Sequence, residues 1–271
     1  MPEKKRLRGR PKAFTAKPEQ SRIQSLDRAL DVLATVAAGD GLTLSEISSA
    51  LEQSPATIYR VLSTFAARGH LEMDATSQEW FIGAAAFRTG NAFLRRTGLI
   101  ERARPVMRAL MQETNETANI GVENQGQVLF LSQVETHEAI RAFFPPGTLS
   151  PMHASGIGKA LLAQQDEAAI DRYLARTDLT RFTPSTICDA NALRQELARI
   201  REAGHAFDNE EKSPGMRCVA APVFNAWGEA VAGISVSGPT ARLSLARIRD
   251  ICALVRARAR DLSESLGHRP G

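Results

Sequence analysis

Residues Ser54–Leu71 read SPATIYRVLSTFAARGHL. Ser54 is a good helix N-cap, because a serine in extended conformation can offer its hydroxyl oxygen to the free N–H groups of the first turn. Pro55 suits the first helical position, where its missing N–H has no intrahelical partner to lose. Ile58, Val61, Leu62 and Phe65 follow the i, i+3, i+4, i+7 spacing of a buried stripe. Thr57, Tyr59, Arg60, Ser63 and Thr64 fall largely off that stripe, and Gly69 ends the helix. The spacing predicts a helix with one apolar face and one hydroxyl-rich face carrying a single cation.

Upstream, LTLSEISSALEQ (Leu42–Gln53) places Thr43 and Glu46 three residues apart, a capping-box pattern, before Leu44, Ile47 and Leu51. Before that, Ile23, Leu26, Ala29, Leu30, Leu33, Val36 and Ala37 recur at helical spacing up to Gly39-Asp40-Gly41. Downstream, LEMDATSQEWFIG (Leu71–Gly83) reads as two short strands around an Asp-Ala-Thr-Ser turn. Three helices and a hairpin over residues 21–83 are the order of a winged helix-turn-helix. Its third helix enters the major groove, where Thr and Ser reach base edges or phosphates and Arg pairs with guanine or phosphate. The candidate DNA contacts are therefore Ser54, Thr57, Tyr59, Arg60, Ser63 and Thr64. The competing reading of the same pattern is a small helical domain used for protein contacts.

Charge is distributed unevenly. Residues 1–17 carry seven Lys and Arg against one Glu, net +6, so a chain of formal charge +4 is −2 elsewhere. A basic block of this kind, residues 1–20, is expected to be a disordered tail that contacts nucleic acid or merely aids solubility. Arg8-Gly9-Arg10-Pro11 resembles an AT-hook core, which makes Arg8 and Arg10 candidates for a narrow minor groove.

The 271 residues suggest two domains, and 43% hydrophobic with 24% charged residues describe a globular chain. No apolar run approaches the roughly 20 residues of a membrane span. The basic start lacks the apolar segment of a secretory signal. Three cysteines, Cys188, Cys218 and Cys252, then suggest a reducing, cytoplasmic setting rather than a disulfide framework.

Residues 84–99 are helix-prone and read as a linker helix and dimer contact, followed by an amphipathic helix over 100–117. The rest, 100–271, alternates. TANIGVENQGQVLFLSQVET reads as a hairpin, IRAFFPPG as a further short strand, and residues 156–164, 166–175 and 190–203 as helices. HAFDNEE, CVAAPVF and AVAGISVSG read as strands before a C-terminal helix from Leu245 to Leu266. This predicts a two-domain α/β chain whose second domain is α+β, an antiparallel sheet with flanking helices.

Four features of that domain can carry chemistry. In MHASGIGKALL, Gly156 and Gly158 stand at a helix start, where free N–H groups and the positive dipole end suit an anion and glycine lets a ligand approach. A plain turn entering a helix is the alternative, and the spacing is not that of a P-loop. In GISVSGP, period two puts Ser235 and Ser237 on one strand face, a ligand-binding pair or a solvated sheet face. In FDNEE, Asp208 can accept a ligand hydroxyl or sit in a solvated turn. Cys218 can be a nucleophile, a metal ligand, a core filler or a weak donor to a ligand. A nucleophile needs a base, for which His205 is a candidate, and a metal needs clustered ligands, which the spacing lacks.

The motifs His205-Ala206-Phe207-Asp208-Asn209-Glu210-Glu211, Gly215 to Val223 (GMRCVAAPV) and Gly233 to Pro239 (GISVSGP), with Met152 to Gly156, resemble the IclR family of bacterial transcription regulators. The resemblance covers about residues 21–266 and lies nearest the glyoxylate-sensing branch. It implies a GAF/PAS-like effector-binding domain that holds a small 2-oxo acid through Gly156, Ile157, Asp208, Cys218, Ser235 and Ser237, with Ile157 acting through its backbone. It also implies a homodimer or a dimer of dimers (a homotetramer) on a pseudo-palindromic operator, with no cofactor and no metal. The expected function is a DNA-binding regulator, repressor or activator, switched by glyoxylate. Its rivals are a small-carboxylate enzyme with Cys218 as nucleophile, a regulator of another small or aromatic acid, and a ligand-independent architectural DNA protein.

Overall fold

The structure is a computed structural model and describes residues 23–95 and 98–269. Arg8, Arg10 and the rest of the basic block at 1–20 lie outside the described residues. The chain divides into two compact units, residues 1–93 and 94–271.

In the first unit α1 (Gln24–Ala38) precedes a two-residue strand, β1 (Leu42–Thr43), then α2 (Leu44–Ala50) and α3 (Pro55–Ala67). The wing is β2 (Leu71–Met73) and β3 (Glu79–Ile82), and α4 (Ala84–Arg95) follows. The predicted caps form. Thr43 and Glu46 make a reciprocal capping box, and the Ser54 hydroxyl accepts from the Thr57 N–H at 3.3 Å. Asp74 holds the wing turn by accepting from the N–H groups of Thr76 and Ser77 at 2.7 and 2.9 Å. Val32, Val36, Ile47, Ile58, Leu62, Leu71 and Trp80 form the core.

Two features depart from expectation. β1 pairs with β3, giving the sheet order β1-β3-β2; two residues are too few to show a period. In α1 only Val32 and Val36 are buried, while Ile23, Leu26 and Leu30 are exposed. The α2–α3–wing core meets only the second half of α1, so the periodic set splits between two faces.

The second unit opens with α5 (Leu99–Thr114), β4 (Thr117–Asn124) and β5 (Gln127–Val134). The segment expected to be helical over 100–117 is bounded by Gly98 and Asn115, both left-handed with φ 59°, so α5 starts afresh at Leu99 and stops at Thr114. IRAFFPPG is not a strand. Pro145 and Pro146 cannot donate to a ladder, and the Gln133 amide substitutes for one, donating to the Ala142 carbonyl at 3.0 Å and accepting from the Phe144 N–H at 3.3 Å. The strand comes later, as β6 (Leu149–Pro151). A 3₁₀ turn at Met152–Ala154 leads into α6 (Gly156–Leu162), α7 (Glu167–Arg176) and α8 (Ala190–Ala203), where Gly204 makes a left-handed stop. β7 (Ala206–Asn209), β8 (Met216–Phe224), β9 (Ala230–Pro239) and α9 (Leu245–Ser265) complete the unit.

The six strands form one antiparallel sheet in the order β6-β5-β4-β9-β8-β7. Alternation divides its side chains. Ile120, Val219, Ala221, Ile234 and Val236 pack against α5 and α9 residues such as Met107, Leu110 and Val255. Val128, Phe130, Ala206 and Ala220 pack on the other face against Ile157, Leu161, Leu193 and Leu197 of α6 and α8. Cys252 is buried in the α9 layer, as its apolar neighbours predict.

Candidate ligand site and DNA-facing helix

The strand register aligns polar side chains on the α6 face. Thr117 of β4 pairs with Ser237 of β9, Ser237 with Cys218 of β8, and Cys218 with Asp208 of β7. One step along, Asn119 pairs with Ser235. These residues alternate with the apolar set that fills the other layer, so the polar row follows from period two within each strand and from the register between strands.

α6 begins opposite this row. Ser155 is its N-cap and accepts from the Gly158 N–H at 3.4 Å. The glycines have separate reasons. A Cβ on Gly156 would stand 2.8 Å from Cys218 Sγ, so glycine there lets the helix start close on β8 beside the thiol. A Cβ on Gly158 would stand 2.3 Å from the Met152 backbone, so that glycine serves the 3₁₀-to-helix turn, contrary to the expected role in ligand approach.

Between helix start and strands lies a cavity of ≈ 30 Å³, lined by all six predicted residues: Gly156, Ile157, Asp208, Cys218, Ser235 and Ser237. An adjoining cavity of ≈ 40 Å³ shares Asp208, Cys218 and Ser237 with it. Phe130 and Phe144, stacked with ring centroids 4.8 Å apart, form an apolar wall. Ser235 and Ser237 are 1% and 4% exposed, which excludes a solvated sheet face. Ser235 Oγ, Thr117 Oγ1 and Asn119 Oδ1 are buried with no hydrogen-bond partner among the described residues. Buried polar atoms are nearly always satisfied, so an orphan on a cavity wall marks a place for a ligand or water.

Asp208 is buried rather than in a solvated turn, and its Oδ1 accepts from the Glu211 N–H at 2.8 Å. Burial, reinforced by the Glu211 carboxylate, raises its carboxyl to about 7. Burial and then Asp208 push the Cys218 thiol up to about 12. A thiol held that high is protonated at neutral pH and is not a nucleophile. His205, the candidate base, is turned to the Ala203 carbonyl at 3.1 Å and does not line the cavity. The site can bind a small polar molecule, but its thiol is not activated for attack.

Several contributors escape a sequence reading. Lys159, on the buried α6, is 0% exposed; its ammonium donates to the Phe207 carbonyl at 2.8 Å and pairs with Glu211 at 2.5 Å and Glu196 at 3.4 Å. It sits behind the Asp208 turn and anchors it. A lone Lys among GIGKALL is the only signal, and it is easily read as exposed. Lys212, Phe130 and Phe144 also line the cavity. Larger grooves exist, of ≈ 490 Å³ beside α7 and ≈ 430 Å³ beside α9, but none of the six predicted residues lines either.

On α3, Ile58 and Leu62 are buried, and Ser54, Thr57, Tyr59, Arg60 and Thr64 are exposed, with Ser63 half-buried. Three hydroxyls already have local duties. Ser54 Oγ caps the helix and lies 2.9 Å from Thr57 Oγ1, and Thr64 donates to the Arg60 carbonyl at 2.7 Å. Tyr59, Arg60 and the half-buried Ser63 have no side-chain hydrogen bond among the described residues, and Tyr59 and Arg60 are the exposed ones.

Residues 25–75 match the IclR helix-turn-helix domain, and residues 91–264 match the C-terminal domain of the bacterial transcriptional regulator IclR. The chain belongs to the IclR family. It is 53% identical to the HTH-type transcriptional regulator BhcR of Paracoccus denitrificans, over 97% of this chain and 96% of that one. It is 35% identical to the transcriptional repressor IclR of Escherichia coli, over 96% of each. Among solved structures, an IclR homologue of Microbacterium hydrocarbonoxydans complexed with 4-hydroxybenzoate superposes with a TM-score of 0.80 at 26% identity, covering 89% of this chain and 98% of that one. The IclR fold, a winged helix-turn-helix followed by a GAF/PAS-like α+β domain, is therefore that of this chain. The protein is a DNA-binding transcription regulator and not an enzyme, which removes the reading of Cys218 as a nucleophile.

Proposed function

We propose that this IclR-family regulator is switched by a small 2-oxo acid, glyoxylate, held between the α6 helix start and the polar row of the sheet. The observation that carries the reading is Ser235 Oγ, buried on the cavity wall with only the Cys218 thiol beside it among the described residues. The N–H groups at Gly156 and Ile157 take the carboxylate, while Asp208, Cys218, Ser235 and Ser237 surround the carbonyl or its hydrate. The volume favours a compact acid: one water needs roughly 10–15 Å³, and this cavity is ≈ 30 Å³ with another ≈ 40 Å³ beside it. An aromatic acid, such as the 4-hydroxybenzoate bound by the Microbacterium homologue, would need the Phe130–Phe144 wall to open.

The working unit is a cytoplasmic homodimer, or a homotetramer built from two of them, reading a pseudo-palindrome with paired α3 helices. The basic block at 1–20 adds phosphate and minor-groove contacts, residues 21–83 read the operator, 84–99 link, and 100–271 bind the effector. The ligand must prefer one arrangement of the assembly, or it switches nothing.

Calorimetry with glyoxylate, pyruvate, oxalate and 4-hydroxybenzoate, beside operator mobility shifts, tests this. Glyoxylate is expected to bind and to change operator affinity. Cys218→Ala and Ser235→Ala are expected to weaken the ligand with DNA binding intact. Failure of every small acid to bind overturns the reading.

A further inference from the structure

The polar row has one shortage: it supplies hydroxyls, a thiol and an acid, but no positive charge. Three cations approach it. Lys159 is neutralised by Glu211 and Glu196 and lines neither cavity. Arg217 lines the adjoining cavity, but its guanidinium is engaged by Asn209 at 2.7 Å and the Leu243 carbonyl at 2.9 Å. Lys212 lines both cavities, and no carboxylate pairs with it among the described residues. Its ammonium rests over the face of Phe182, 3.4 Å from the ring centroid.

The backbone around Lys212 is pinned. Thr183 donates to the Glu210 carbonyl at 2.7 Å, and Thr186 to the Glu211 carbonyl at 2.6 Å. The Glu210 carboxylate closes the turn by accepting from the Gly215 N–H at 2.8 Å. The side chain therefore starts from a fixed point and lies between the aromatic platform and the cavity. Cation–π contact suits an ammonium partly removed from water, but it does not neutralise it. A half-buried, unpaired ammonium is stabilised by any anion that arrives beside it, and a bond between charged groups is stronger than one between neutral groups.

We infer that Lys212 is the specificity residue that makes this cavity select an anion, leaving the Phe182 face to meet the ligand's carboxylate. The inference rests on the effector reading above and extends it to a residue outside the row.

Binding of glyoxylate and of its uncharged amide, glyoxylamide, to the full-length protein tests it. Lys212→Met is expected to lower glyoxylate affinity about tenfold or more, the weight of a charged hydrogen bond. Glyoxylamide affinity should change little, so the preference for anion over amide collapses. Lys212→Arg should restore most of that preference, and the melting temperature of both variants should stay near that of the parent. Unchanged glyoxylate affinity in Lys212→Met overturns the inference, as does a parallel loss for both ligands. If the parent protein binds neither glyoxylate nor any related acid, the effector reading falls and takes this inference with it. That result is distinct from a parent that binds and a variant that binds equally well.

Discussion

Asp208 shows how one buried residue couples the site to stability. A carboxyl of this type titrates near 3.9 in an unfolded chain. In the fold, burial and the Glu211 carboxylate raise it to about 7. Between about pH 4 and 7 the native state keeps a proton that the unfolded chain has released. Stability therefore falls as pH rises through that window. Asp208→Asn keeps an oxygen for the Glu211 N–H and removes the titration. The variant is expected to gain on the parent protein as pH rises, by an amount on the order of a few kcal/mol at pH 8. Glu211, also raised by burial, is coupled to Asp208 by the same repulsion, so the comparison reads Asp208 together with its effect on that neighbour. Urea unfolding at pH 5, 6.5 and 8 measures it; identical pH profiles for the two proteins would refute it. At the site, a carboxyl near neutrality can act as a donor when protonated, which suits a ligand that is itself an acid.

At the scale of elements, the contact between α6 and β8 sets the room available to a ligand. Gly156→Ala places a methyl group 2.8 Å from Cys218 Sγ and 3.3 Å from Ala220 Cβ. Overpacking of this kind costs about 1–3 kcal/mol. The variant is expected to lose stability and ligand binding together. Cys218→Ala in the same chain removes the closer clash, so the pair should couple favourably in a double-mutant cycle followed by thermal unfolding. Strict additivity would mean that the helix start does not rest on the thiol. One pair of the polar row was legible in the sequence, because Ser235 and Ser237 alternate with Ile234 and Val236; Thr117 and Asn119 were not, because no single strand records which strand pairs beside it or in what register. Caps were legible for the same local reason, at Thr43 and Ser54. What escaped depends on distant neighbours. Whether Ile23 or Val32 of α1 is buried is decided by α2, α3 and the wing. Gln133 replaces a ladder in IRAFFPPG, Phe144 reaches the cavity from that segment, and Lys159 finds Glu211 52 residues further on. None of these pairings has a period to reveal it.

For the whole molecule, charge and linkage decide what the two units can do together. The chain is +4 with residues 1–17 and −2 without them. Removing them takes away seven Lys and Arg, and each phosphate contact so lost should reduce the slope of log affinity against log salt by about 0.9. A truncated protein is expected to bind operator more weakly and with a shallower slope; an unchanged slope would dismiss the tail from the interface. Ligand control has a stricter consequence. If glyoxylate changes operator affinity by some factor, operator must change glyoxylate affinity by the same factor, because both routes join the same four states. A ligand with equal affinity for both arrangements shifts nothing, however tightly it binds. Operator anisotropy with and without saturating glyoxylate gives one factor. Glyoxylate calorimetry with and without saturating operator gives the other. Equal factors are expected if the cavity is the regulatory site, and the glyoxylate concentration that changes operator affinity should rise in Ser235→Ala by as much as its glyoxylate affinity falls. A cavity that binds glyoxylate equally well on and off DNA would be a ligand site without a regulatory role.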